Sequence, residues 1–148
     1  MNKNLIFRLI VLLTGSSLFA QEISKETLRA IHDGNITVLD KVVSKENVND
    51  CFDIQDSSYN YLSISIKMKQ IKSLKYFAEK EANLEKVCAG KTPLMYAVKY
   101  GQLEMVKYLV NKGAKMTTET SRGKTALDYA EKYDQYEIAE YLKDKLRE

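Results

Sequence analysis

Side chains able to do covalent or acid–base chemistry are scarce in this sequence. His32 is the only histidine among 148 residues. It stands two residues before Gly34, at the end of a predicted first helix and on a surface position, with no Cys, His and Asp constellation to make it a nucleophile's base or a metal ligand. Carboxylates are plentiful but scattered over helix faces, and pairs such as Glu137 and Glu140 fall on the polar side of a predicted C-terminal helix, where solvation explains them. No glycine-rich phosphate loop, nucleophile elbow or cysteine cluster is present. An enzyme is therefore not expected, and no catalytic residue, metal site or cofactor is assigned. What does recur is binding chemistry. Lys67, Lys99 and Lys132 follow one another at intervals of 32 and 33 residues, and each precedes a bulky side chain, Met68, Tyr100 and Tyr133. Tyr76, Tyr108 and Tyr141 form a second series at the same intervals. That series reads as packing, with rings covering a helical stack and hydroxyls left wet.

The elements that must hold these residues begin after residue 20. Lys3 and Arg8 precede an apolar run of about 12 residues, Leu9 to Ala20, well short of the ~20 a membrane-spanning helix needs. Residues 1–20 are expected to be a secretory signal peptide cleaved between Ala20 and Gln21, leaving residues 21–148 as one domain without a transmembrane segment. The whole chain carries 23 Lys plus Arg against 20 Asp plus Glu; without Lys3 and Arg8 the balance is 21 to 20, and the net charge falls from +3 to +1. Bulk charge gives no support to nucleic-acid binding.

An internal period organises the remainder. Residues Gly90, Thr92, Pro93, Leu94 and Ala97 are followed by Gly101, Leu109, Gly113 and Ala114. A shift of 33 aligns Gly90 with Gly123, Thr92 with Thr125, Leu94 with Leu127, Ala97 with Ala130 and Leu109 with Leu142. A shift back by 32 aligns Thr92 with Asn60, Leu94 with Leu62, Ala97 with Ser65, Leu109 with Phe77 and Ala114 with Ala82. This earlier unit is degenerate, with Ser58, Lys69 and Glu81 at the glycine positions. A first unit is legible in Ala30, Gly34, Ile36, Leu39, Val42 and Val43. Thr92 and Thr125 suit helix N-caps, and Pro93 the first helical position. Ala30, Ser65, Ala97 and Ala130 would let neighbouring helices approach closely, while Val106, Leu109 and Val110 recur at helical spacing. The final helix, from Tyr136, places Ile138, Ala139, Tyr141, Leu142 and Leu146 among charged residues.

The unit starting at Gly90, with its G-x-T-P-L-x-x-A opening and its Gly113-Ala114 ending, resembles the ankyrin repeat. The chain is similar to small exported ankyrin repeat proteins of bacteria over about residues 24–145. The resemblance implies an all-α solenoid of about four helix-turn-helix repeats, near residues 24–50, 51–85, 86–118 and 119–148, with short β-turn fingers. It places the two residues before each mid-repeat glycine on the inner concavity, so that Lys67, Lys99 and Lys132 form a basic ladder beside Met68, Tyr100 and Tyr133. Finger residues Tyr59, Lys91, Arg122 and Lys124 extend that surface. The linker from Asn49 to Ser58 is four residues longer than its counterpart from Glu85 to Gly90, so the second finger should bulge. Cys51 and Cys88 lie in neighbouring fingers and are expected to form a disulfide in an oxidising compartment. The implied function is a monomeric protein-binding module of the periplasm or secreted space, an immunity or inhibitor protein or a scaffold, gripping a partner with an acidic surface. The alternative is a binder of anionic envelope surface, lipid headgroup or polysaccharide.

Overall fold

A side-chain cap starts the first helix of every pair. In the computed structural model, which describes residues 22–148, Ser24, Asn60, Thr92 and Thr125 each accept a hydrogen bond from the backbone N–H three residues on. Such a cap stabilises its helix by about 1 kcal/mol, because it satisfies a donor the helix itself leaves open. The expected signal peptide lies outside the described residues. From the caps run α1 (Lys25–Asp33), α3 (Tyr61–Lys67), α5 (Pro93–Lys99) and α7 (Ala126–Lys132). Their partners are α2 (Ile36–Val42), α4 (Ile71–Glu79), α6 (Leu103–Asn111) and α8 (Tyr136–Arg147). Four helix pairs result among the described residues.

One turn geometry joins every pair. The N–H groups of Asn35, Gln70, Gln102 and Gln135 donate to the carbonyls of Ala30, Ser65, Ala97 and Ala130 at 2.8–2.9 Å. The column of small residues thus closes the turn with its carbonyls while its side chains, at most 4 % exposed, let α1, α3, α5 and α7 stack. Between them sits a left-handed residue, where an L side chain strains against its own carbonyl. Gly101 meets that demand at φ 65°, but Lys69 occupies the same place at φ 57° and Asp134 at φ 54°. Glu81 stands likewise at φ 63°, at the position that Gly113 fills in the next unit.

One apolar core runs the length of the stack, from Ala30 and Ile31 through Phe77 and Leu109 to Leu142. Ser73 donates to the Ile31 carbonyl at 2.7 Å inside it, tying α4 to α1. In the last helix Ile138, Ala139 and Leu142 are buried, whereas Leu146 is exposed.

The all-helical expectation needs one amendment. The second finger is a two-stranded antiparallel hairpin, β1 (Phe52–Ile54) with β2 (Ser57–Tyr59), pairing Phe52 with Tyr59 and Ile54 with Ser57. The extra linker residues go into this hairpin, which turns through Gln55 at φ 56°. The third finger is tighter, a single bridge between Cys88 and Lys91 across Ala89 and Gly90, both at positive φ. The two fingers are joined, as Cys51 pairs with Cys88 across a Cα separation of 6.0 Å. That lies within the span a disulfide tolerates.

Candidate functional site

Lys67, Lys99 and Lys132 are the last residues of α3, α5 and α7, so each ammonium sits where the helix dipole is negative. The following residues, Met68, Tyr100 and Tyr133, cap those helices. Lysine and tyrosine interleave there. Lys67 Nζ lies 4.5 Å from the Tyr59 ring centroid and donates to its hydroxyl at 3.3 Å. Lys99 Nζ is 5.5 Å from Tyr100 and 6.0 Å from Tyr133 in the next pair, and Lys132 Nζ is 5.5 Å from Tyr133. Lys91 reaches over Tyr96 at 5.6 Å. The rings continue beneath: Tyr96 stacks on Tyr100 at 6.3 Å, Tyr129 on Tyr133 at 6.1 Å, and Tyr59 meets Tyr96 at 5.2 Å. A cation within about 6 Å of a ring centroid is attracted by the quadrupole of the aromatic face.

Charge on this face is uncompensated. Among the described residues, no carboxylate lies within ion-pair distance of Lys67, Lys91, Lys99, Lys132 or Arg122, whereas Lys124 pairs with Asp128 at 3.2 Å. Burial, then the nearby charges of Lys99 and Lys132, hold Lys91 below the ordinary lysine range. Burial and a hydrogen bond with Tyr59 push Tyr100 up. Burial works the same way on Tyr59, but its bonds with Tyr100 and Lys67 outweigh it and leave that hydroxyl below the usual value.

A family model for ankyrin repeats (3 copies) matches residues 27–120 and 62–147. The chain belongs to the ankyrin repeat family. No curated protein matches it. Ankyrin repeats are generally protein–protein interaction modules and typically non-enzymatic. Within the ankyrin stack, the ladder lysines, Tyr100 and Tyr133 come together as a continuous surface, and Lys91 joins them from the third finger. Arg122 and Lys124 line a cleft beside Lys132, with Thr120, Asp128 and Tyr129. Met68 is half-buried against the core.

Tyr59 requires correction. It is 6 % exposed, because β2 turns its ring inward onto Tyr96, so it forms the floor of the surface and offers no free aromatic contact. The second tyrosine series also differs from expectation. Tyr76 donates to Asp40 at 2.8 Å and the Tyr108 hydroxyl is buried without a partner, so these two hydroxyls are not wet. The cause is the closeness of the stack: Asp40 of one pair reaches Tyr76 of the next, and Lys75 covers the Tyr108 ring at 5.7 Å. His32 is exposed beside Asp33, with Nδ1 2.9 Å from its carboxylate. Tyr96 and Tyr129 were not identified from the sequence. Their placement four residues before Tyr100 and Tyr133 is the helical spacing that brings two rings together, and that signal was present.

Proposed function

We propose that this ankyrin repeat chain is a protein-binding module of the cell envelope or secreted space, which grips an acidic partner through its concave face and fingers. One observation carries the reading. Lys67, Lys99 and Lys132 lie over tyrosine rings with no carboxylate within ion-pair distance among the described residues, on a protein whose bulk charge is close to neutral beyond residue 20. An uncompensated cationic face attracts an anionic partner over the Debye length, while half-buried tyrosines supply rigid contact area with a polar tip. On this reading the protein is exported by its N-terminal segment, cleaved after Ala20, acts as a monomer, and serves as an immunity or inhibitor protein or as an envelope scaffold.

The test is a pull-down from envelope extract with the wild-type protein and with Lys67, Lys99 and Lys132 all changed to Glu. The expected result is a partner retained by the first and lost by the second. Equal capture by both would refute the reading. Binding to anionic vesicles with no protein captured would move the function to the envelope surface. Sequencing the N-terminus of the exported protein is expected to begin at Gln21; a chain that still starts at Met1 and partitions with membranes would overturn the export reading.

A further inference from the structure

The fourth finger, Thr120 to Lys124, does not close against the third. Between the fourth finger and α7 runs a cleft of about 380 Å³ lined by Thr120, Arg122, Lys124, Asp128, Tyr129 and Lys132. A second recess of about 310 Å³ shares Thr120, Arg122 and Tyr129 with it and continues to Lys91 and the tip at Ala89 and Gly90. The two recesses are adjacent, and together they reach from Lys132 on α7, past Arg122, to Lys91 on the third finger.

Their charges are unequally committed. Asp128 is the one carboxylate lining them, and it is already held. It accepts from the Thr125 backbone N–H at 2.8 Å, from the Thr125 hydroxyl at 2.8 Å and from Lys124 at 3.2 Å. Those Thr125 bonds, backbone first, bring its carboxyl down to about 2, so it stays ionised and engaged at any ordinary pH. Lys91, Arg122 and Lys132 are left over. Arg122 is exposed at the finger tip, where its backbone N–H is anchored on the Thr120 hydroxyl at 3.3 Å while its guanidinium has no carboxylate partner among the described residues. A guanidinium is a planar fork that matches a carboxylate with two parallel hydrogen bonds, and lysines beside it add charge without that geometry. The Tyr129 ring gives the recesses an apolar wall.

We propose that the two adjoining recesses, from α7 to the third finger, form a carboxylate-binding channel that takes an extended acidic segment of the protein partner, with Arg122 as the bidentate contact and Lys91 and Lys132 flanking it. This rests on the protein-binding reading above and names the part of the partner it recognises. A flat bilayer is a poorer fit, since headgroups in a plane that reach Arg122 at the finger tip would not engage Lys132 at the end of α7 as well.

The probe is a capped hexaglutamate peptide, titrated calorimetrically at low ionic strength against wild type, Arg122→Gln and Lys41→Gln, with capped hexaglutamine as the neutral control. Both substitutions are at exposed side chains, and thermal melts of each variant are expected to match wild type. Loss of the bidentate contact is expected to weaken hexaglutamate binding about tenfold, with Lys41→Gln, exposed on α2, changing it less than about threefold and hexaglutamine not binding. Equal weakening by the two variants would show diffuse charge attraction and overturn the channel. So would absence of hexaglutamate binding to wild type, or tighter, Arg122-dependent binding to phosphatidylglycerol vesicles. The two proposals fail separately. If reversal of the three ladder lysines abolishes partner capture while hexaglutamate ignores Arg122→Gln, the concave face stands and the channel falls. If capture survives the reversal, the concave face itself is refuted.

Discussion

Replacing Cys51 and Cys88 together by Ser removes the covalent tie between the second and third fingers. The cysteines are 37 residues apart in sequence, and cross-linking a loop of that length lowers the unfolded chain's entropy enough to stabilise the fold by about 4 kcal/mol. For a domain of this size that corresponds to a fall in melting temperature on the order of 10–15 °C. The loss should not be spread evenly. In a stack where each unit touches only its neighbours, stability is a sum over units and interfaces, and the bridge spans the unit with the fewest favourable turn residues. Cys88 also accepts a hydrogen bond from the Tyr96 hydroxyl at 3.3 Å and pairs with Lys91, so the third finger should loosen with it. Thermal melts of wild type, wild type with reductant and the double Ser variant measure the total, and amide exchange measures where it falls. Expected are matching drops for the reductant and the variant, with protection lost in α1–α4 before α6–α8. A melt unchanged in both would refute the argument, as would two free thiols in protein taken from an oxidising compartment.

Further predictions concern the turns and the tyrosines. Lys69→Gly and Glu81→Gly relieve left-handed strain of about 1–2 kcal/mol each. Glycine's extra unfolded-state freedom takes back roughly half of that, so each should stabilise by about 0.5–1 kcal/mol in urea unfolding, and a destabilised variant would contradict the reading. Burial raises Tyr61 to about 12, and burial is also the first cause for the raised Tyr96, Tyr100, Tyr108 and Tyr129. Below pH 10 these groups are neutral in both states. Above it the unfolded chain ionises first, so stability should fall from pH 10 upward through about 12, with part of the tyrosinate absorbance at 295 nm appearing only on unfolding. Simultaneous titration of all ten tyrosines near pH 10 in folded protein would contradict it.

Much of the scaffold was legible because its signals are local. Thr92, Pro93 and Thr125 specify helix starts by what their own side chains or rings do to neighbouring N–H groups, and Ala30, Ser65, Ala97 and Ala130 follow from one period. The site was legible only as a set of columns. Which ring each lysine covers depends on the spacing between units, so the reach of Lys99 to Tyr133 and the burial of Tyr59 under Lys67 could not be read from either residue's neighbours. The same holds for Asp40 and Tyr76, partners across a stack whose closeness no single repeat encodes. The second finger's extra length was visible, but length alone does not distinguish a bulge from a hairpin. Asp53, Ser57 and Ser58 carry no strong strand preference, and the pairing is fixed by burial of Phe52 and Tyr59.

The claim that the concave face is the binding surface is tested most directly by association kinetics with the captured partner, measured across a range of ionic strength. Wild type is compared with the Lys67, Lys99 and Lys132 reversal to Glu and with reversal of Lys75, Lys107 and Lys143 on the outer helices. Lys75 and Lys107 lie over Tyr108 and Tyr141 as the ladder lysines lie over their rings, and Lys143 pairs with Glu131, so the control matches the ladder in charge and differs in being on α4, α6 and α8. For the ladder reversal the association rate at low salt should fall about tenfold or more, and its salt dependence should flatten, because these charges act on encounter. An unchanged rate and salt slope in the ladder variant, or an equal fall in the control, would contradict the concave assignment.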